Sequence, residues 1–172
     1  DKNLNTRSFA PESLGGRRPL QDIAAEKAVL GALLQNKSSI ITAQELKLAP
    51  EDFYLDKHAY VFLAIENLYG EGRPVDVITV ADELRKSKEA WNLIQDEQFL
   101  WELTQEVASG AHVAYHAKII MDKALNRRLI ALSSSIIDKA MDDSIESKDT
   151  LEYSEQNIFK IGEDKSAGEI RH

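Results

Sequence analysis

Residues Gly70–Leu84 read GEGRPVDVITVADEL, and two kinds of fold compete for them. As a strand beside a glycine-rich turn, Val75, Val77, Ile78, Thr79 and Val80 would adjoin a phosphate-binding loop, and the chain would be a nucleotide-binding enzyme. As a helix start, the same residues are architecture. Pro74 disfavours a helical Arg73 and keeps the chain extended, so Asp76 can cap, with Val75 and Val80 at the staple positions before and after it. Val77, Val80, Ala81 and Leu84 then follow at i, i+3, i+4 and i+7, the helical period. The chemistry agrees. A phosphate loop needs the GxxxxGK[ST] spacing so that backbone amides cradle phosphate while Lys and Ser/Thr reach the outer phosphates and magnesium, and no lysine follows Gly72. The near miss GEDKS at Gly162–Ser166 lacks the preceding glycine and a strand leading in. The stretch is a helix start.

Upstream, the residues from Leu55 predict a helix with Asp56 as N-cap, a staple between Leu55 and Tyr60, and an apolar face of Val61, Ile65 and Leu68 widened by Phe62 and Tyr69. Gly70 or Gly72 supplies the left-handed residue that ends it. Pro50 sits at a first-turn position beside Glu51 and Asp52. A short helix is expected over 39–46. Before it, Ile23, Val29, Leu30, Leu33 and Leu34 define a helix capped by Asp22 and stopped at Asn36. Residues 1–18 show no sustained periodicity and are expected to form a disordered tail.

Downstream, Phe99, Leu100, Leu103 and Val107 predict a helix broken at Ser109-Gly110. The next stretch, Ala111–Asp143, has neither Gly nor Pro and would make a helix of about 45 Å at 1.5 Å per residue, so part of it should project. Leu125, Leu129, Leu132, Ile136 and Ala140 form a narrow stripe on it. After a polar loop, Asp149 and Glu152 resemble a capping box, and Leu151, Ile158 and Ile161 line a helix that Gly162 ends. The expected fold is all-α. A disordered tail (1–18) precedes a compact multi-helix head (19–109), a projecting antiparallel helical hairpin (110–163) and the start of a linker (164–172).

Composition narrows the function. The 172 residues are 43% hydrophobic and 29% charged, as in a globular protein, and no apolar run approaches the length of a membrane span or a secretory signal. A cytoplasmic location is expected. The chain has no cysteine, which excludes disulfides, thiol nucleophiles and cysteine-based zinc sites. Its net charge of −8 argues against a free-standing nucleic-acid binder. From Asp138 to Asp164 nine acids face three lysines, a run that reads either as a solvated helix face or as a docking surface for a basic partner.

No catalytic constellation survives inspection. His112 and His116 have the i, i+4 spacing of a metal pair but lack the glutamate of an HExxH motif and a third ligand nearby, so they also read as ordinary surface histidines. Ser133–Ser135 have no nucleophile elbow. Trp91 and Trp101 are expected in the core or a groove rather than as stacking platforms. A two-helix projection cannot bury both apolar faces on itself, so the stripe points to association.

Five spaced elements carry a resemblance: AEKAVLGALL (25–34), PEDFYLDKHAYVFLAI (50–65), GRPVDVITVADEL (72–84), HAKIIMDKALNRRLI (116–130) and LEYSEQNIFKIGE (151–163). In this order they resemble the N-terminal domain of the bacterial replicative DNA helicase, the DnaB family. A departure is KSKEAWNLIQDEQFL (86–100), where that family usually has Gly-Gly before the next helix. The resemblance implies a collar and oligomerisation domain in which hairpins pair between subunits of a hexameric ring and primase docks through its C-terminal domain. It also implies an ATP-dependent helicase as parent, with ATP and magnesium bound in a following motor domain and none in this fragment, which would itself be non-catalytic. Further implied partners are a helicase loader and, through the ring, single-stranded DNA that the fragment holds only weakly. The residues it singles out for pairing and partner binding are Leu125, Arg128, Leu129, Leu132, Ile136, Leu151, Ile158 and Phe159; no catalytic, cofactor or metal residue is expected. A free-standing helical adaptor is the alternative.

Overall fold

The structure, a computed structural model, describes residues 20–105 and 112–169, and side chains as far as 164. Every regular element among them is helical: α1 (Ile23–Gln35), α2 (Lys37–Glu45), a 3-10 turn (Pro50–Asp52), α3 (Asp56–Gly70), α4 (Val77–Arg85), α5 (Lys88–Ile94), α6 (Glu97–Gln105), α7 (Val113–Met141) and α8 (Ser147–Glu169). The expected tail and the break at Ser109-Gly110 lie outside the described residues.

The opening stretch folds as its chemistry dictates. Gly72 takes φ +70°, the left-handed value that a side chain would strain. Asp76 Oδ1 accepts from Thr79 N–H at 2.8 Å, and Thr79 Oγ1 accepts from Asp76 N–H at 3.0 Å, closing a reciprocal cap. Val77, Val80, Ala81 and Leu84 are all buried. Asp76→Ala should therefore cost the head about 1 kcal/mol, measured by urea unfolding; an unchanged midpoint would mean that the cap is dispensable.

By their contacts the described residues divide into a unit within Asp22–Ala124 and a second containing Leu125–Glu169 together with Leu20 and Gln21. The sequence placed the boundary at 109/110, whereas in the structure α7 runs without interruption through 124/125. The first turns of α7 belong to the head because Val113, Ala117, Ile120 and Ala124 recur at helical spacing and are buried there. The rest of the core is built from Val29, Leu30 and Leu33 of α1, Val61, Ile65 and Leu68 of α3, Val80 of α4 and Leu100 and Leu103 of α6. Each such side chain contributes roughly 1.5–3 kcal/mol by leaving water.

Four local expectations need correction. Asp56 is not the cap of α3. Leu55 holds that position without a side-chain bond, and the exposed amides are met from elsewhere. Glu26 of α1 accepts from Tyr54 N–H at 2.7 Å and Leu55 N–H at 3.4 Å, while His58 Nδ1 lies 2.8 Å from its Oε1. Glu26 and His58 are 1% and 0% exposed, and the imidazole stacks on Phe99. Trp101 is not in the core: it is 44% exposed on α6, whereas Trp91 packs against the core under the Arg85 guanidinium. Asp149 lies inside the first turn of α8, which opens at Ser147 because Glu146 C=O accepts from both Asp149 and Thr150 N–H. Gly162 does not end α8, which continues to Glu169; an interior glycine costs only about 1 kcal/mol relative to alanine, too little to stop a helix.

Candidate association surface

The second unit contains the C-terminal part of α7 and all described residues of α8, joined by the five residues 142–146. The turn is built by Asp142, whose Oδ1 accepts from Ser144 N–H at 2.9 Å and from the Ser144 hydroxyl at 2.6 Å. These bonds hold its carboxyl below the usual carboxylate range, aided by nearby Lys139. The two helices meet through a mostly polar seam. Ser135 Oγ lies 3.0 Å from Tyr153 OH, and Lys139 Nζ sits 4.6 Å above the Tyr153 ring.

The phase of α8 differs from the one expected. Its covered positions are Thr150, Tyr153, Ser154, Asn157 and Ile161, spaced i, i+3, i+4, i+7 and i+11. Of the three apolar residues expected to line the helix against its partner, only Ile161 is on that side. Leu151 and Ile158 stand 60% and 55% exposed on the flank, and Phe159, further round, is 67% exposed. On α7 the stripe is placed as expected only in part. Leu132 is buried at 8%, Leu125, Arg128 and Ile136 are half-buried, and Leu129 is 39% exposed.

The energetic consequence is plain. Among the described residues, Leu132 is the only buried apolar side chain of this unit, against more than twenty in the other. An antiparallel pair of long helices with one buried leucine has little hydrophobic stabilisation of its own. It exposes Leu129, Met141, Leu151, Ile158 and Phe159 instead. Such apolar surface makes this unit the candidate for an association site.

Some participants were missed from sequence. Tyr153, Ser135 and Lys139 make the seam, and Asp142, Asp143 and Ile145 line, with Ile136, Ala140 and Leu151, a cleft of about 430 Å³ beside the turn. The signal was present: Thr150, Tyr153, Ser154, Asn157 and Ile161 already show helical spacing, but four of the five carry polar groups and so escape an apolar-pattern search.

Elsewhere, the His112 and His116 rings lie edge to face at 6.3 Å, and no group of three His, Cys, Asp or Glu residues that could hold a metal occurs among the described residues. Gly162, the start of the second near-miss phosphate loop, is inside α8. No helix among the described residues is long and apolar enough to cross a membrane.

Residues 18–122 match the model of the family described as the DnaB-like helicase N-terminal domain. The chain is similar to the replicative DNA helicase DnaB of Rhodothermus marinus, 40% identical over 148 residues that make up 86% of this chain and 15% of that protein. It is also similar to the crystal structure of the N-terminal domain of the DnaB helicase from Mycobacterium tuberculosis, with 34% identity and a TM-score of 0.74 over 83% of this chain and 99% of that one. A structure of a DnaB-like replicative helicase and its interactions with primase shares the fold, at 23% identity and TM-score 0.64, over 81% of this chain and 31% of that one. The chain spans between 15% and 35% of the length of the first curated relatives it matches.

Proposed function

Because the chain belongs to the family of DnaB-like helicase N-terminal domains, we propose that it is the pairing domain of a replicative DNA helicase, assembling with its own copies through α7 and α8 into a collar on which primase docks. The observation that carries this is the near-absence of a core among the described residues of the second unit, where one leucine is buried and five large apolar side chains are exposed. Such a surface stabilises an assembly by being covered, and a second copy offers the same patch in an isologous contact. Leu125, Arg128, Leu129, Leu132 and Ile136 of α7 and Leu151, Ile158 and Phe159 of α8 are the residues we assign to it. The primase C-terminal domain enters as part of this proposal, because the likeness to the helicase described with primase supports the fold alone. ATP, magnesium and the translocating strand of DNA belong to a motor domain of the parent helicase, and a loader completes the set of partners.

Sedimentation of the chain over a concentration series tests the pairing, and addition of purified primase C-terminal domain tests the docking. Association with rising concentration and a further primase-dependent species are expected; a monomer throughout that ignores primase would sink the reading. The chain alone should release no phosphate from ATP. It should also bind single strands no tighter than about 10⁻⁶ M at physiological salt, since it carries a net charge of −8. A nanomolar complex in fluorescence anisotropy would contradict the charge argument.

A further inference from the structure

Gln95, the residue that joins α5 to α6, holds φ +68° and ψ −38°. Asp96 N–H donates back across it to Ile94 C=O at 2.8 Å, so the junction is close to a classic γ-turn, a rare conformation in which a side chain adds strain. Such strain persists only where the surroundings impose it, and it favours any state in which the junction lets go.

What holds the junction closed is slight. α5 has seven residues, too few to stand as a helix alone, and buries only Ala90 and Ile94, whereas α3 beside it buries six. Leu93 is exposed and Trp91 half-buried. On the α3 side the Glu89 carboxylate faces the Tyr60 hydroxyl. On the other side is Arg85, at the end of α4, whose guanidinium lies 4.5 Å from the centre of the Trp91 ring and donates to Glu97 Oε1 of α6. One side chain thus spans α4, α5 and α6 across the strained turn. Both members of that ion pair are more than a third exposed, which keeps it weak.

We propose that α5 is a latched flap: it opens as a unit by release of the turn at Gln95, with Arg85 as the latch, while α1, α3, α4 and α6 stay folded. Opening relieves the turn, frees Trp91 from the guanidinium and uncovers the parts of α3 and α4 that α5 touches. The head then has two alternative surfaces, closed and open. Segments of low local stability are the ones a ligand can shift between such states. The flap is a property of the head and does not depend on pairing through α7 and α8.

Amide hydrogen exchange on the whole chain, read residue by residue, tests this. The Trp91 and Gln95 amides donate to the Ser87 and Trp91 carbonyls inside the closed flap. Both should exchange roughly a hundredfold faster than the Ile65 amide of α3 and should respond little to low urea, because a small opening exposes little surface. Gln95→Gly should slow both about fivefold, since relief of the turn outweighs the freedom that glycine adds to the open state. Arg85→Ala should speed both about fivefold. Asp76→Ala, which weakens the closed and open forms alike, should speed Ile65 about fivefold and leave Trp91 and Gln95 unchanged. Four results would overturn the proposal: flap amides that exchange at the Ile65 rate or follow it in Asp76→Ala, different factors at Trp91 and Gln95, which is fraying from one end, no slowing in Gln95→Gly, or no change in Arg85→Ala.

Discussion

Glu26→Ala is expected to lower the stability of the head by about 3–5 kcal/mol, the range for removing one partner of a buried pair. The carboxylate is 1% exposed and serves three groups at once: the N–H of Tyr54, the N–H of Leu55 and Nδ1 of His58. Its removal takes the side-chain acceptor from the entry to α3 and deprives a fully buried imidazole of its partner, in a cavity too enclosed for cheap rehydration. His58 Nε2 already has no hydrogen-bond partner among the described residues, so the ring has no second hydrogen bond to fall back on. Since whole domains are stable by only about 5–15 kcal/mol, the loss should be visible as a large drop in urea midpoint. The double variant Glu26→Leu/His58→Leu should recover part of it, because a buried pair replaced by apolar groups is often near neutral. Recovery should be incomplete, since the bonds from Tyr54 and Leu55 N–H to the Glu26 carboxylate are still lost. A loss below about 1 kcal/mol for the single variant would contradict the bonding described above, which places it among groups worth more than an ordinary net hydrogen bond.

Ile158→Asp/Phe159→Asp is expected to raise the dissociation constant for self-association at least a hundredfold, while the head unfolds at an unchanged urea midpoint. Both side chains are more than half exposed, so the isolated chain tolerates the change. In an isologous contact each substitution occurs twice, and burying an unpaired carboxylate costs several kcal/mol, of which about 2.8 kcal/mol already gives the hundredfold effect. Sedimentation over a concentration series reads the first part and urea unfolding the second. Wild-type association in the variant would remove α8 from the pairing surface and leave only the α7 stripe.

These two experiments probe opposite ends of what the residues reveal in advance. Asp76, Gly72, Asp22 and the buried face of α4 were legible because cap, turn and periodicity all act within a few residues of one another. Asp56 misled because the competing acceptor, Glu26, lies 28 residues from Tyr54 in sequence and no local pattern reports such a partner. The short helix α5 escaped notice because seven residues hold too few apolar positions to show a period. On α8 the error had a physical cause with functional meaning. Leu151 and Ile158 carry two expectations, a place lining α8 against α7 from their spacing and a place in pairing between copies from the resemblance, and only the first is contradicted. The seam is instead filled by Thr150, Tyr153, Ser154 and Asn157, which leaves the apolar residues outward. Where the hairpin residues belong in an assembly follows from this outward set and from the proposal built on it, not from the periodicity that first drew attention to them.

The unbroken course of α7 has a consequence for how the second unit comes to exist. A helix starting on its own must fix several residues before its first hydrogen bond repays them, with an initiation constant of roughly 10⁻³. Here the initiation is supplied by the head, because Val113, Ala117, Ile120 and Ala124 are packed into its core. The turns beyond Leu125 need only be added one residue at a time, at a propagation constant near unity. The head thus seeds a helix whose far end has scarcely any burial to hold it. Backbone amide protection should accordingly decline smoothly from Ile120 towards Met141 in an unassembled chain, as fraying of a seeded rod predicts, with no abrupt step at 124/125. On assembly the gradient should flatten.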